Sequence, residues 1–120
     1  MKLKESFDKV SEYFSPHIIA SLNDHYVKVV KILGDKVPWH NHEDEDELFY
    51  IVEGNLLMEI ENQPASILQS GDLFIVPKGV YHRVSSTEEC SVMLIEPMNT
   101  EHTGKVQSAI TNTNYIFKLV

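Results

Sequence analysis

Residues 34–54 read Gly-Asp-Lys-Val-Pro-Trp-His-Asn-His-Glu-Asp-Glu-Asp-Glu-Leu-Phe-Tyr-Ile-Val-Glu-Gly. His40 and His42 stand two apart, so in an extended chain their side chains share one face. Residues 43–46 are all acidic and form an expected turn. Glu47 then opens a run that is apolar at both parities from Leu48 to Val52. A strand of that kind is covered on both faces. Hairpin pairing across the acidic turn is expected to return Glu47 to the side of the histidine pair. His82 lies further on, directly after the turn Pro77-Lys78-Gly79-Val80-Tyr81. Three imidazoles and one carboxylate converging inside a barrel make a site for a divalent transition metal. Imidazole suits Zn, Fe, Ni or Cu, and the carboxylate shifts the preference towards Mn and Fe.

Outward from this stretch, short β runs are expected over residues 17–22, 26–33, 40–42, 47–53, 56–60, 66–68, 73–76, 82–85 and 91–96. Turn signals such as Asn23-Asp24, Gly54-Asn55 and Ser70-Gly71 separate them. Many short strands with regular turns argue for an antiparallel sandwich or barrel. Ahead of them, Leu3, Phe7, Val10 and Phe14 recur at helical spacing. They predict a helix of about three turns that ends at Ser15-Pro16, where proline disfavours helical geometry in the residue before it. The expected organisation is a helix over 1–16, a barrel over 17–96 and a tail over 97–120. The apolar end of the tail, Tyr115 to Val120, is expected to add an edge strand, here or on a neighbouring subunit.

The spacing also resembles a family signature. Gly34, five residues, His40-Asn41-His42, four residues, Glu47, six residues and Gly54 match the first motif of the cupin superfamily. Gly71, five residues, Pro77-Lys78-Gly79, two residues and His82 match the second, with Ser86 where that motif carries Asn. The resemblance is to small, single-domain cupins. It implies an all-β fold, a double-stranded β-helix or jelly-roll barrel with a short N-terminal helix. It carries the metal-ligand roles onto His40, His42, Glu47 and His82, for one divalent ion per chain drawn from Mn, Fe, Ni or Zn. Family members include isomerases, dioxygenases, decarboxylases and sugar-binding domains, so the fold alone does not choose a reaction. The leading expectation is a dioxygenase-like enzyme on a small chelating substrate. The alternatives are a non-catalytic small-ligand or sensor module and a sugar isomerase or epimerase. Tyr26, Tyr50 and Glu96 are candidates for an acid or base beside the ion.

Composition narrows the partners. The chain has 120 residues, 42% of them hydrophobic, which suits one soluble globular domain. Eighteen acids against ten bases leave a net charge of −8, a sign that repels nucleic-acid phosphates. Arg83 is the only arginine, so no arginine cluster can grip a phosphosugar, and Lys36 and Lys78 are the lysines near the motifs. The single cysteine, Cys90, reads as a small buried thiol. No apolar leader or membrane-length run is seen, so the expected compartment is the cytoplasm. His17, His25 and His102 are expected to be structural or surface residues. The two-faced strand and the apolar tail predict a homodimer.

Overall fold

The computed structural model describes residues 1–100 and the backbone of Lys118–Leu119. One short helix and eight strands occur among the described residues. They are α1 (Leu3–Asp8), β1 (His17–Leu22), β2 (His25–Gly34), β3 (Glu47–Glu53), β4 (Asn55–Ile60), β5 (Ser66–Gln69), β6 (Leu73–Val76), β7 (His82–Pro97) and β8 (Lys118–Leu119). Among the described residues, all strand–strand pairings but one are antiparallel; the exception is β8, which lies parallel to His17–Ile18 of β1. Tyr115, Ile116, Phe117, Val120 and His102 lie outside the described residues.

The long strand β7 is the spine. Residues His82 to Ser85 pair with β4, and Ser91 to Ile95 pair with β2 on one edge and β3 on the other. The sequence predicts two strands here, over 82–85 and 91–96. The structure joins them into one because the ladder continues past Ser86, whose hydroxyl donates to the Ile32 carbonyl at 2.9 Å. That bond holds β7 to β2 at the position where the second motif departs from its usual Asn.

Strand alternation sorts the side chains. Phe49 and Ile51 of β3, Leu56 and Met58 of β4, Val84 and Val92 of β7, and Val30 and Ile32 of β2 form one interior. Burying each such side chain contributes about 1.5–3 kcal/mol. Cys90 is fully buried in the same core, and burial pushes its thiol up to about 11.

The helix differs from the sequence expectation. It stops at Asp8, and Phe14 sits in the left-handed region at φ 57°. Phe7, Val10 and Phe14 of the stripe are nonetheless buried, and Leu3 is partly so. Phe7 and Val10 pack with Val29 on the outer face of the sheet, whereas Phe14 enters the main core. Residues after α1 trade helical bonds for bonds to β2. The Phe14 N–H donates to the Lys31 carbonyl at 2.9 Å, and Lys31 Nζ donates to the Val10 carbonyl at 3.0 Å. No helix among the described residues is long and apolar enough to cross a membrane.

Candidate metal centre

Four side chains converge inside the barrel. His40 and His82 face each other across an isolated antiparallel bridge, in which each backbone N–H donates to the other's carbonyl, at 3.1 and 2.9 Å. The expected strand over 40–42 is thus reduced to a single bridge. Nor is Glu47 returned by a hairpin: it pairs with Val76 of β6, and β3 runs between β6 and β7. The inward parity of β3, shared with Phe49 and Ile51, aims Glu47 into the site. His42 is held by its own backbone, because its carbonyl accepts the Gly79 N–H at 2.8 Å. Asp46 of the acidic turn accepts the Lys78 N–H at 2.8 Å, so this turn is tied to the second motif rather than merely solvated.

All four side chains are buried. The ligating atoms of His40, His42 and His82 lie within 4.8 Å of one another. Glu47 Oε1 lies 3.5 Å from both His42 Nε2 and His82 Nε2. Two donors sharing one ion at bonds of about 2.1 Å lie roughly 3–3.5 Å apart, so little adjustment is needed.

Local sequence fixes two of the tautomers. His40 Nδ1 donates to the Pro38 carbonyl at 2.8 Å, and His82 Nδ1 donates to the Val80 carbonyl at 3.0 Å. The same two-residue step, Pro38-Trp39-His40 and Val80-Tyr81-His82, therefore leaves Nε2 of each ring as the lone-pair nitrogen, the usual arrangement behind a metal-ligating histidine. Trp39 and Tyr81 turn outward, as their parity predicts, and Arg83 lies over the Trp39 ring while its Nε donates to Glu59 at 2.7 Å.

Electrostatics suit a cation. Burial lowers the His40 imidazole to about 4, with repulsion from His82 and His42 adding to it and the Pro38 hydrogen bond opposing. Neutral imidazole is the form that coordinates. Burial would raise the Glu47 carboxyl, but contacts from Glu96, His42 and His82 outweigh it and hold it well below the usual carboxylate range. Glu96 moves the other way. Burial and the neighbouring Glu47 carboxylate push its carboxyl well up, against the pull of Lys28. Both nitrogens of His42 and Nε2 of His82 are buried without a hydrogen-bond partner. Buried polar atoms ordinarily have partners, and a cation would supply one here. The donor set fits a divalent transition metal.

Beside the cluster is a cavity of about 50 Å³, walled by His40 and Glu47 together with Val30, Ile32, Phe49 and Leu94. Lys28 and Glu96 line it as well. They form an ion pair of 2.7 Å, and each side chain is at most 4% exposed. Of the three candidate acids or bases, Glu96 is thus the one in the cavity wall, while Tyr50 lies opposite Leu73 and Met93 with the outward set of β3. Lys28 escaped the sequence reading, which looked near the motifs. Its signal was parity: it alternates with Val30 and Ile32 on an apolar inward face. Lys36 and Lys78 are exposed.

The cupin domain profile matches residues 29–98. The chain is 32% identical over 94 residues to the uncharacterised protein YdbB of Bacillus subtilis, covering 78% of this chain and 82% of that one. It is 30% identical over 87 residues to acireductone dioxygenase 1 of Coprinopsis cinerea, covering 68% of this chain and 47% of that protein. Among solved structures, a cupin-2 domain protein of Shewanella frigidimarina superposes with a TM-score of 0.77 at 38% identity, over 81% of this chain and 93% of that one.

Proposed function

The chain belongs to the cupin domain family, and from that membership we propose that it is a metal-dependent enzyme acting on a small chelating substrate in the manner of a dioxygenase. The observation that carries this reading is the convergence of His40, His42, His82 and Glu47 beside a small, largely apolar cavity. The similarity to an acireductone dioxygenase supports the reaction class.

A bound divalent ion supplies Lewis acidity and coordination positions for substrate oxygens. The chain supplies the rest. Pro38 and Val80 carbonyls orient the imidazoles, and Glu47 contributes the negative charge. Val30, Ile32, Phe49 and Leu94 keep the surroundings apolar, while Phe14 and Pro16 close the cavity from the N-terminal side. A volume of about 50 Å³ has room for a few waters or a few heavy atoms of a ligand, which favours small substrates over sugars. A phosphosugar isomerase has less support, because the cavity's one lysine is already paired with Glu96.

We also propose a cytoplasmic homodimer. Leu73 and Ile75 of β6 are 55% and 51% exposed, beside the half-buried Leu48 and Tyr50 of β3. A second copy would cover this face.

The test begins with metal analysis of protein purified without affinity nickel. Chelator-stripped protein should regain one ion per chain and melt at a higher temperature. A ligand specific for the folded state stabilises it by about 2.7 kcal/mol at a hundredfold excess over its Kd. His82→Ala should abolish that rise, and His25→Ala, a surface histidine bonded to Asp24, should leave it intact. Oxygen uptake is then screened on diketones, diols and keto acids. Wild-type stoichiometry and affinity in His82→Ala would refute the site. A metal-loaded protein that consumes no oxygen on any chelator class would favour the binding module.

A further inference from the structure

Glu96 occupies the inward row of β7, next to the apolar Leu94 and Val92. Its two oxygens meet different surroundings. Oε1 accepts from Lys28 Nζ at 2.7 Å. Oε2 is buried and makes no hydrogen bond. The ligating atoms of His42, Glu47 and Glu96 all lie within 4.8 Å of one another. His42 therefore belongs to two overlapping donor triads, one with His40 and His82 and one with Glu47 and Glu96.

We propose that Glu96 is a fifth protein ligand of the ion, with Lys28 as the positioning residue that ties down one oxygen and leaves the other for the metal. This inference rests on the metal-centre reading above. A buried ion pair is a poor device for stability, since apolar residues of similar volume serve as well or better. As a device for aiming a carboxylate it has a clear effect. With Oε1 fixed by Lys28, the orientation of Oε2 is fixed too. Three nitrogens and two carboxylate oxygens make a harder and larger donor set than three histidines and one glutamate. Such a set favours Mn²⁺ or Fe²⁺ over the four-coordinate preference of Zn²⁺.

The experiment uses cobalt as a spectroscopic substitute. Full-length wild type, Glu96→Gln, the double variant Lys28→Met with Glu96→Gln, and His82→Ala are stripped and loaded with Co²⁺. Visible d–d bands are recorded, since their intensity grows as coordination number falls. Mn²⁺ and Zn²⁺ affinities are measured by competition with a chromophoric chelator. The double variant guards against misfolding from an unpaired buried lysine. Loss of an outer-shell partner alone costs about 10–100-fold in affinity, so the spectrum decides. Glu96→Gln and the double variant should both intensify the cobalt bands and lose more affinity for Mn²⁺ than for Zn²⁺. If the bands match wild type in both variants, Glu96 is not a ligand, whatever the affinity does. In that outcome an intact loss of binding in His82→Ala leaves the four-ligand site standing. Wild-type binding by His82→Ala would overturn both readings together.

Discussion

Stripped of metal, the protein should lose stability as the solution is acidified, and His40 should carry a measurable share of the loss. Burial lowers this imidazole to about 4, with His82 and His42 contributing and the Pro38 carbonyl opposing. In the unfolded chain it returns to about 6.5. Between those two values the unfolded state binds a proton that the folded state refuses, so stability rises with pH across that window. The His40 contribution is fully present above about pH 6.5 and is lost as the pH falls towards about 4. At about 1.4 kcal/mol for each pH unit, the gap is worth about 3 kcal/mol. A domain of this size has only about 5–15 kcal/mol in total. The assay is urea unfolding in chelator from about pH 7.5 to about pH 4.5, on wild type and His40→Gln. Glu96 titrates in the opposite sense, because its raised carboxyl keeps a proton in the folded state that the unfolded chain gives up. The informative quantity is therefore the difference between the two proteins. Wild type should lose about 3 kcal/mol more than the variant across the range. Parallel curves would show that burial does not depress His40, and the account of its neutral, coordinating form would fail.

Gly54→Ala should cost more than Gly34→Ala, although both glycines lie near φ +90°. A Cβ on Gly54 would meet the Glu89 carbonyl oxygen at 2.7 Å, whereas one on Gly34 would meet nothing within 4 Å. Denaturant midpoints should show about 1–2 kcal/mol for Gly34→Ala, from backbone strain alone, and clearly more for Gly54→Ala. Cys90, buried and raised to about 11, should resist a disulfide reagent in the native protein and react fully in denaturant, read by absorbance. Leu73→Lys with Ile75→Lys should shift sedimentation towards the monomer with little change in the melting temperature of the barrel, because both side chains are more than half exposed.

The parts of the fold that were legible in sequence are those governed by alternation and by turn chemistry. The expected strands over 17–22, 47–53 and 73–76 have the observed bounds, since short apolar runs ended by polar, Gly, Asn or Pro residues define them locally. The N-terminal stripe shows the limit of periodicity. Leu3, Phe7, Val10 and Phe14 signalled burial correctly, but helical bonds after Asp8 gave way to bonds with Lys31, a residue on another element. The expected strand at His40 failed for a similar reason. Its partner is His82, far along the chain, and one bridging pair does not make a strand.

The sequence by itself marked His40, His42, Glu47 and His82 as the candidate donors. They stand out by residue type and by the spacing of the two motifs, both of which are properties of the linear chain. Tertiary structure alone decided what stands beside them. The Lys28–Glu96 pair joins β2 to β7 across 68 positions of sequence, and neither residue carries a motif that marks it. Their meeting depends on the register between β2 and β7, in which Lys28 stands opposite Leu94 and Glu96 opposite Tyr26. Register is set by the packing of a whole buried face rather than by any short stretch, so the polar wall of the cavity became visible only once the barrel had closed.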